Sequence, residues 1–198
     1  MHHWANHGIV GRAVLLDYWA FAQANGVKYD PCSAYAISFS DLERCGKAQG
    51  IDIRPESKGG DIKVGDILLI CSGFVDCYNR LSIESRAQLA QKPLDQQHFA
   101  GVAQEEAMVD WLHDCYFSAV AGDAPAFETW PPQAPDELEE KFYLHEHILA
   151  LWGMPLGELW DLERLSDACK RTGRYTILLT SSPANVDGMY HGLDSGIF

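Results

Sequence analysis

Two short apolar runs, Ala13-Val14-Leu15-Leu16 and Ile67-Leu68-Leu69-Ile70-Cys71, constrain the fold of this chain more than any other feature. Each is of strand length and offers no polar residue to face water, so each reads as a buried strand rather than a helix. The first extends back to Ile9 and enters Asp17, and the second runs to Ser72 before Gly73. Helical segments alternate with them. Tyr18–Asn25 reads as a short helix stopped by Gly26. Ser40-Asp41-Leu42-Glu43 matches a capping box, opening a helix that ends near Gly50. In Gln104–Cys115, Met108, Trp111, Leu112 and Cys115 fall at i, i+3, i+4 and i+7, one apolar face of a helix. A strand at Phe117–Ala121 follows, ending at Gly122-Asp123. After the rigid loop Trp130–Pro135, Asp136 with Glu139 caps a helix running to about Trp152. A helix at Leu159–Lys170 and a strand at Tyr175–Ser181 complete the series. Such alternation predicts an α/β fold, a mixed sheet with flanking helices.

Composition narrows the function classes. The chain has 198 residues, with 15 basic and 28 acidic side chains and a formal charge of −13. A domain of this size buries roughly 70% of its unfolded surface, so residues 1–198 read as one domain needing no disulfide or metal to fold. Nucleic-acid binders concentrate Lys and Arg to displace counterions, and here the basic residues are few and scattered, which argues against a nucleic-acid partner. No apolar stretch reaches the roughly 18 to 20 residues of a membrane-spanning helix, and no membrane partner is expected. Met1–His7 lacks the basic and apolar regions of a secretory signal. The six cysteines form no C-x-x-C pair, so they read as free, mostly buried thiols in a cytoplasmic protein.

The chemistry-bearing candidates are few. At 100° per residue, Leu138, Phe142, His145, Leu149 and Trp152 stack into one stripe of the helix from Asp136, with His147 on the opposite side. A core-facing imidazole must satisfy both ring nitrogens, so His145 pairs with a carbonyl, a carboxylate or a metal. The turn Gly153-Met154-Pro155-Leu156-Gly157 can fold Glu158 back toward it. The plainer readings are a hydrogen-bonded core histidine and a solvated glutamate. Asp123 stands at a strand's carboxyl end, where ligands of α/β folds gather, or simply caps a turn. His2, His3 and His7 sit in a terminal loop. H-E-x-x-H is absent because position 149 is leucine, and no G-x-S-x-G, P-loop or G-x-G-x-x-G occurs.

Several segments together resemble one family. They are Gly8-Ile9-Val10-Gly11-Arg12-Ala13-Val14-Leu15-Leu16-Asp17, Val64 to Phe74, Phe99-Ala100-Gly101-Val102, Ala121-Gly122-Asp123-Ala124-Pro125-Ala126-Phe127-Glu128, Leu144-His145-Glu146, and Trp152-Gly153-Met154-Pro155-Leu156-Gly157-Glu158. In this order they resemble the cyclase family, similar to bacterial-type kynurenine formamidases, and most of all its larger fungal branch. The resemblance implies a swivelling β/β/α architecture and a dimeric or tetrameric homo-oligomer. It also implies a metal-dependent hydrolase whose metal-activated water attacks a small-molecule amide such as N-formylkynurenine, the arylformamidase step of tryptophan catabolism. Zinc or manganese is the implied cofactor. His145 and Glu158 match the family's later catalytic and metal-binding pair, and Asp123, Phe127 and Trp130 would shape the substrate pocket. The family's early H-x-x-x-H-x-D ligand segment is found neither in Met1–His7 nor later, so the chain reads as a member shortened at its N-terminus and lacking the first strands. The alternative reading is a non-catalytic paralogue serving as a binding or oligomerisation module.

Overall fold

The computed structural model describes residues 7–132, 143–182 and 196–197. Strand β1 (Ile9–Asp17) lies inside a six-stranded sheet. On one side it pairs in parallel with β3 (Ile67–Cys71), β3 with β5 (Ala119–Gly122), and β5 with β6 (Leu156–Gly157). On the other side it pairs antiparallel with β7 (Thr176–Ser181), which in turn pairs antiparallel with β8 (Gly196–Ile197). The sheet is mixed and flanked by helices, as the alternation of segments predicts. A separate two-stranded parallel pair joins β2 (Ala36–Ile37) to β4 (Gly101–Val102).

The apolar runs become strands buried on both faces because helices cover each side, the arrangement parallel strands need. Alternate residues point to different cores. Val14, Leu16, Leu68, Ile70 and Val120 join one core. Helices α1 (Tyr18–Ala24), α2 (Phe39–Ala48) and α5 (Glu106–Asp114) cover it, with Tyr18, Leu42 and Met108 fully buried. Ala13, Leu15, Ile67, Leu69 and Ala121 face the second core, covered by Trp160, Leu162 and α6 (Glu163–Thr172). Each buried leucine contributes about 1.5–3 kcal/mol.

Three local differences from the sequence reading have physical causes. The capping box of α2 is built by Ser38 and Asp41, not Ser40 and Glu43. Ser38 has the extended backbone an N-cap requires, while Ser40 is already in the helix and Glu43 is exposed. Helices α3 (Phe74–Arg80) and α4 (Ile83–Gln91) were not anticipated. α4 buries no residue, so no apolar stripe marks it in the sequence. The segment expected as a helix from Asp136 falls partly outside the described residues, Leu138 and Phe142 included. Its described part is a π-helix, Glu146–Leu151, preceded by helical Leu144 and His145. There Leu144 and Ile148 are the buried residues and Leu149 is 49% exposed, so the buried face is displaced from the stripe expected at 100° per residue.

Candidate active site

The site forms where three segments meet at one edge of the main core. The first is the stretch Phe127–Trp130, held beside β4: Val102 N–H donates to the Phe127 carbonyl at 3.1 Å and Thr129 N–H to the Val102 carbonyl at 2.9 Å. Gly101 makes this possible. A Cβ there would stand 2.4 Å from the Glu128 carbonyl carbon, closer than any side chain tolerates. Glu128 is thereby placed with no solvent exposure.

The second segment enters the π-helix. Glu128 receives the backbone N–H of Leu144 and, at 3.3 Å, that of His145. The same carboxylate takes His145 Nδ1–H at 2.7 Å. The third is the bend after β6. Leu159 N–H donates to the Ala124 carbonyl and Trp160 N–H to the Gly122 carbonyl, each at 3.1 Å, tying this bend to the end of β5. Leu159 has a φ of 56°, a left-handed conformation that costs a leucine about 1 kcal/mol. Glu158, the residue before it, receives His145 Nε2–H at 3.0 Å.

The result is a carboxylate–imidazole–carboxylate row: a buried Glu128, a central His145, and Glu158 facing solvent. The His145 and Glu158 side chains are 32% and 33% exposed. The hydrogen bond to Glu128, then that to Glu158, pushes the His145 pKa up to about 9 against the opposing effect of burial. His145 is therefore an imidazolium at neutral pH. Glu128 was not singled out from sequence, because nothing in the spacing of 17 residues marks it as a partner of His145. The signal available was its place directly after the apolar Ala126-Phe127 pair.

The other expected site residues are placed differently. Asp123 is fully buried and does cap a turn. Its oxygens receive Ser72 N–H at 2.6 Å, Ser72 Oγ–H at 2.8 Å and Gly73 N–H at 2.8 Å, so they are committed to the entry of α3. Phe127 is 2% exposed and belongs to the main core. Trp130 is half-buried, packs against Phe74, Phe99 and Ala124, and meets the Tyr143 ring at 5.7 Å. A groove of about 770 Å³ lies between α6 and β7 and beside Arg12, and Glu128, His145 and Glu158 do not line it.

To hold zinc or manganese, His145 would first have to release its Nε2 proton, leaving Nε2 and a Glu158 oxygen as two adjacent ligand atoms while Glu128 keeps Nδ1–H and orients the ring. A catalytic zinc site takes three protein ligands and an open position. Among the described residues, groups of three donors within 4.8 Å of one another occur at Asp30, Cys32 and Cys77 and at Cys71, Asp123 and Glu163, and neither includes His145 or Glu158. The row therefore falls short of a metal site by itself. No helix of the described residues is long and apolar enough to cross a membrane.

No family model matches the chain, and no curated protein does. Among solved structures it is similar to a crystal structure described as that of a novel cyclase, at 26% sequence identity and a TM-score of 0.65. The match covers 95% of this chain and 51% of that one, so the chain spans about half the length of the protein it resembles. In fold and in part of its sequence, then, this chain is similar to a cyclase.

Proposed function

We propose that this chain serves an enzyme of the kynurenine formamidase-like cyclase kind, one that hydrolyses a formamide or cyclic amide. The observation behind the reading is the Glu128–His145–Glu158 row, set in a chain similar in fold to a cyclase. Such a row can move two protons in opposite directions. Glu158, the solvent-facing base, takes a proton from the attacking water. His145 Nε2–H gives its proton to the leaving nitrogen as the carbonyl–nitrogen bond breaks. The proton on Glu158 then crosses the 3.0 Å link to His145, restoring the starting state. Glu128 fixes the ring and holds Nδ1–H throughout, the part an orienting carboxylate plays in other acid–base groups. Positioned acid–base groups contribute roughly 10²–10⁴ in rate.

The test is hydrolysis of N-formylkynurenine by the purified chain, with and without added zinc or manganese. We expect turnover above buffer, reduced on the order of 10²-fold or more in His145→Ala and Glu158→Gln. Turnover unchanged in both variants, or none under any metal condition, would overturn the reading. Dependence on the added ion would support the metal requirement that the resemblance implies. The donor count favours a second reading, a non-catalytic module that binds or oligomerises. An inactive chain that sediments as a stable dimer or tetramer would support it.

A further inference from the structure

A second cluster of metal-ligating groups lies apart from the His145 row. Asp30, Cys32 and Cys77 bring one oxygen and two sulfurs within 4.8 Å of one another. The Cys32 and Cys77 sulfurs are 3.7 Å apart. Two thiolates bound tetrahedrally to one zinc, each at about 2.3 Å, stand about 3.8 Å from each other. Asp30 Oδ1 lies 4.0 Å from Cys77 Sγ, within the reach of a single ion bridging oxygen and sulfur. The carboxylate is fixed by Cys32 N–H, which donates to the same oxygen at 2.9 Å.

We propose that Asp30, Cys32 and Cys77 form a binding site for a soft divalent cation, zinc above all, with its fourth position open to solvent. Thiolate sulfur selects zinc over magnesium or calcium, and three protein ligands leave one position for water or a ligand. Asp30 is exposed while both cysteines are half-buried, so the open position faces outward. Two thiolates and a carboxylate bring three negative charges against the two of the ion. Lys92, near Cys32, offsets the remainder, while Arg80 near Cys77 is paired with Asp76. As each sulfur binds, its thiol proton passes to buffer. The group at Cys71, Asp123 and Glu163 is the weaker candidate, because Asp123 is already committed to Ser72 and Gly73. Bound at the first site, the ion would brace the Asp30–Cys32 loop against α3. Cys32 packs on the cluster of Phe74, Phe99 and Ala124 that also supports Trp130, so the ion would stiffen that wall.

Reduced, metal-free full chain titrated with cobalt(II) tests this, followed by displacement with zinc. We expect one equivalent with a sulfur-to-cobalt charge-transfer band, lost in Cys32→Ser and in Cys77→Ser and weakened on the order of tenfold in Asp30→Asn. The band should persist in the His145→Ala, Glu158→Gln double variant, which separates this site from the catalytic reading. Absence of the band, or its persistence in Cys77→Ser, would overturn the proposal. So would rapid loss of two thiols to a Cys32–Cys77 disulfide in the presence of oxidised glutathione, unaffected by zinc.

Discussion

His145 shows how much a single side chain depends on what faces it. Its two carboxylate partners raise its pKa from 6.5 to about 9, so the folded state holds a proton the unfolded state releases. The stability this contributes is fully present below pH 6.5 and is lost as pH rises through about 9. Glu158→Gln, which removes the half-exposed partner, should therefore cost most near pH 6.5 and progressively less as pH rises through about 9. Urea denaturation across that range measures it. A penalty that does not vary with pH would mean that His145 is not held as an imidazolium. Leu159, forced into a left-handed backbone beside Glu158, marks the same place as one where local comfort yields to geometry.

At the scale of elements, the site depends on strands that contain none of its side chains. β4 is only Gly101–Val102, yet it holds the Glu128 backbone through paired hydrogen bonds. Gly101→Ala should push Glu128 away from Leu144 and His145, lowering hydrolysis on the order of 10- to 100-fold while the far-ultraviolet spectrum keeps its shape. Wild-type turnover in this variant would separate Glu128 from catalysis. Elsewhere the joints between elements are ion pairs and caps. Arg12 of β1 grips Asp66, just before β3, through two hydrogen bonds of 2.8 and 2.6 Å. Asp66 is 2% exposed, so the fork supplies hydrogen bonds that water would otherwise make.

Across the whole molecule, the parallel strands end together and gather acids. Asp17 ends β1, Cys71 ends β3 and Asp123 follows β5. α6 adds Glu163 to this end of the sheet, while Ser166 and Lys170 engage Asp17. Burial first, then the charges of Asp76, Asp123, Asp17 and Asp161, raise the Glu163 pKa from 4.5 to about 7. A raised carboxylate pKa is stability present below 4.5 and lost as pH rises through about 7. Glu163→Gln should match the wild type in acid and exceed it in stability above neutrality, by thermal melting over that range. Equal melting temperatures at all pH values would place Glu163 outside this acidic group.

The amino-acid sequence alone determined the mixed α/β layering, because uninterrupted runs such as Ile67–Cys71 admit little but buried strands. It also pointed to His145, since an imidazole among apolar residues demands a partner, whereas Glu158 was marked by the family resemblance. α4 and β4 were not legible: one buries nothing and the other is two residues long, so neither leaves a periodic pattern. The fold alone decided that Glu128 stands behind His145, that Asp123 serves the α3 turn, and that Asp30, Cys32 and Cys77 converge. Those relations join residues up to 51 positions apart. Periodicity reports only neighbours along one element, whereas which distant groups meet is set by how strands and loops pack in three dimensions.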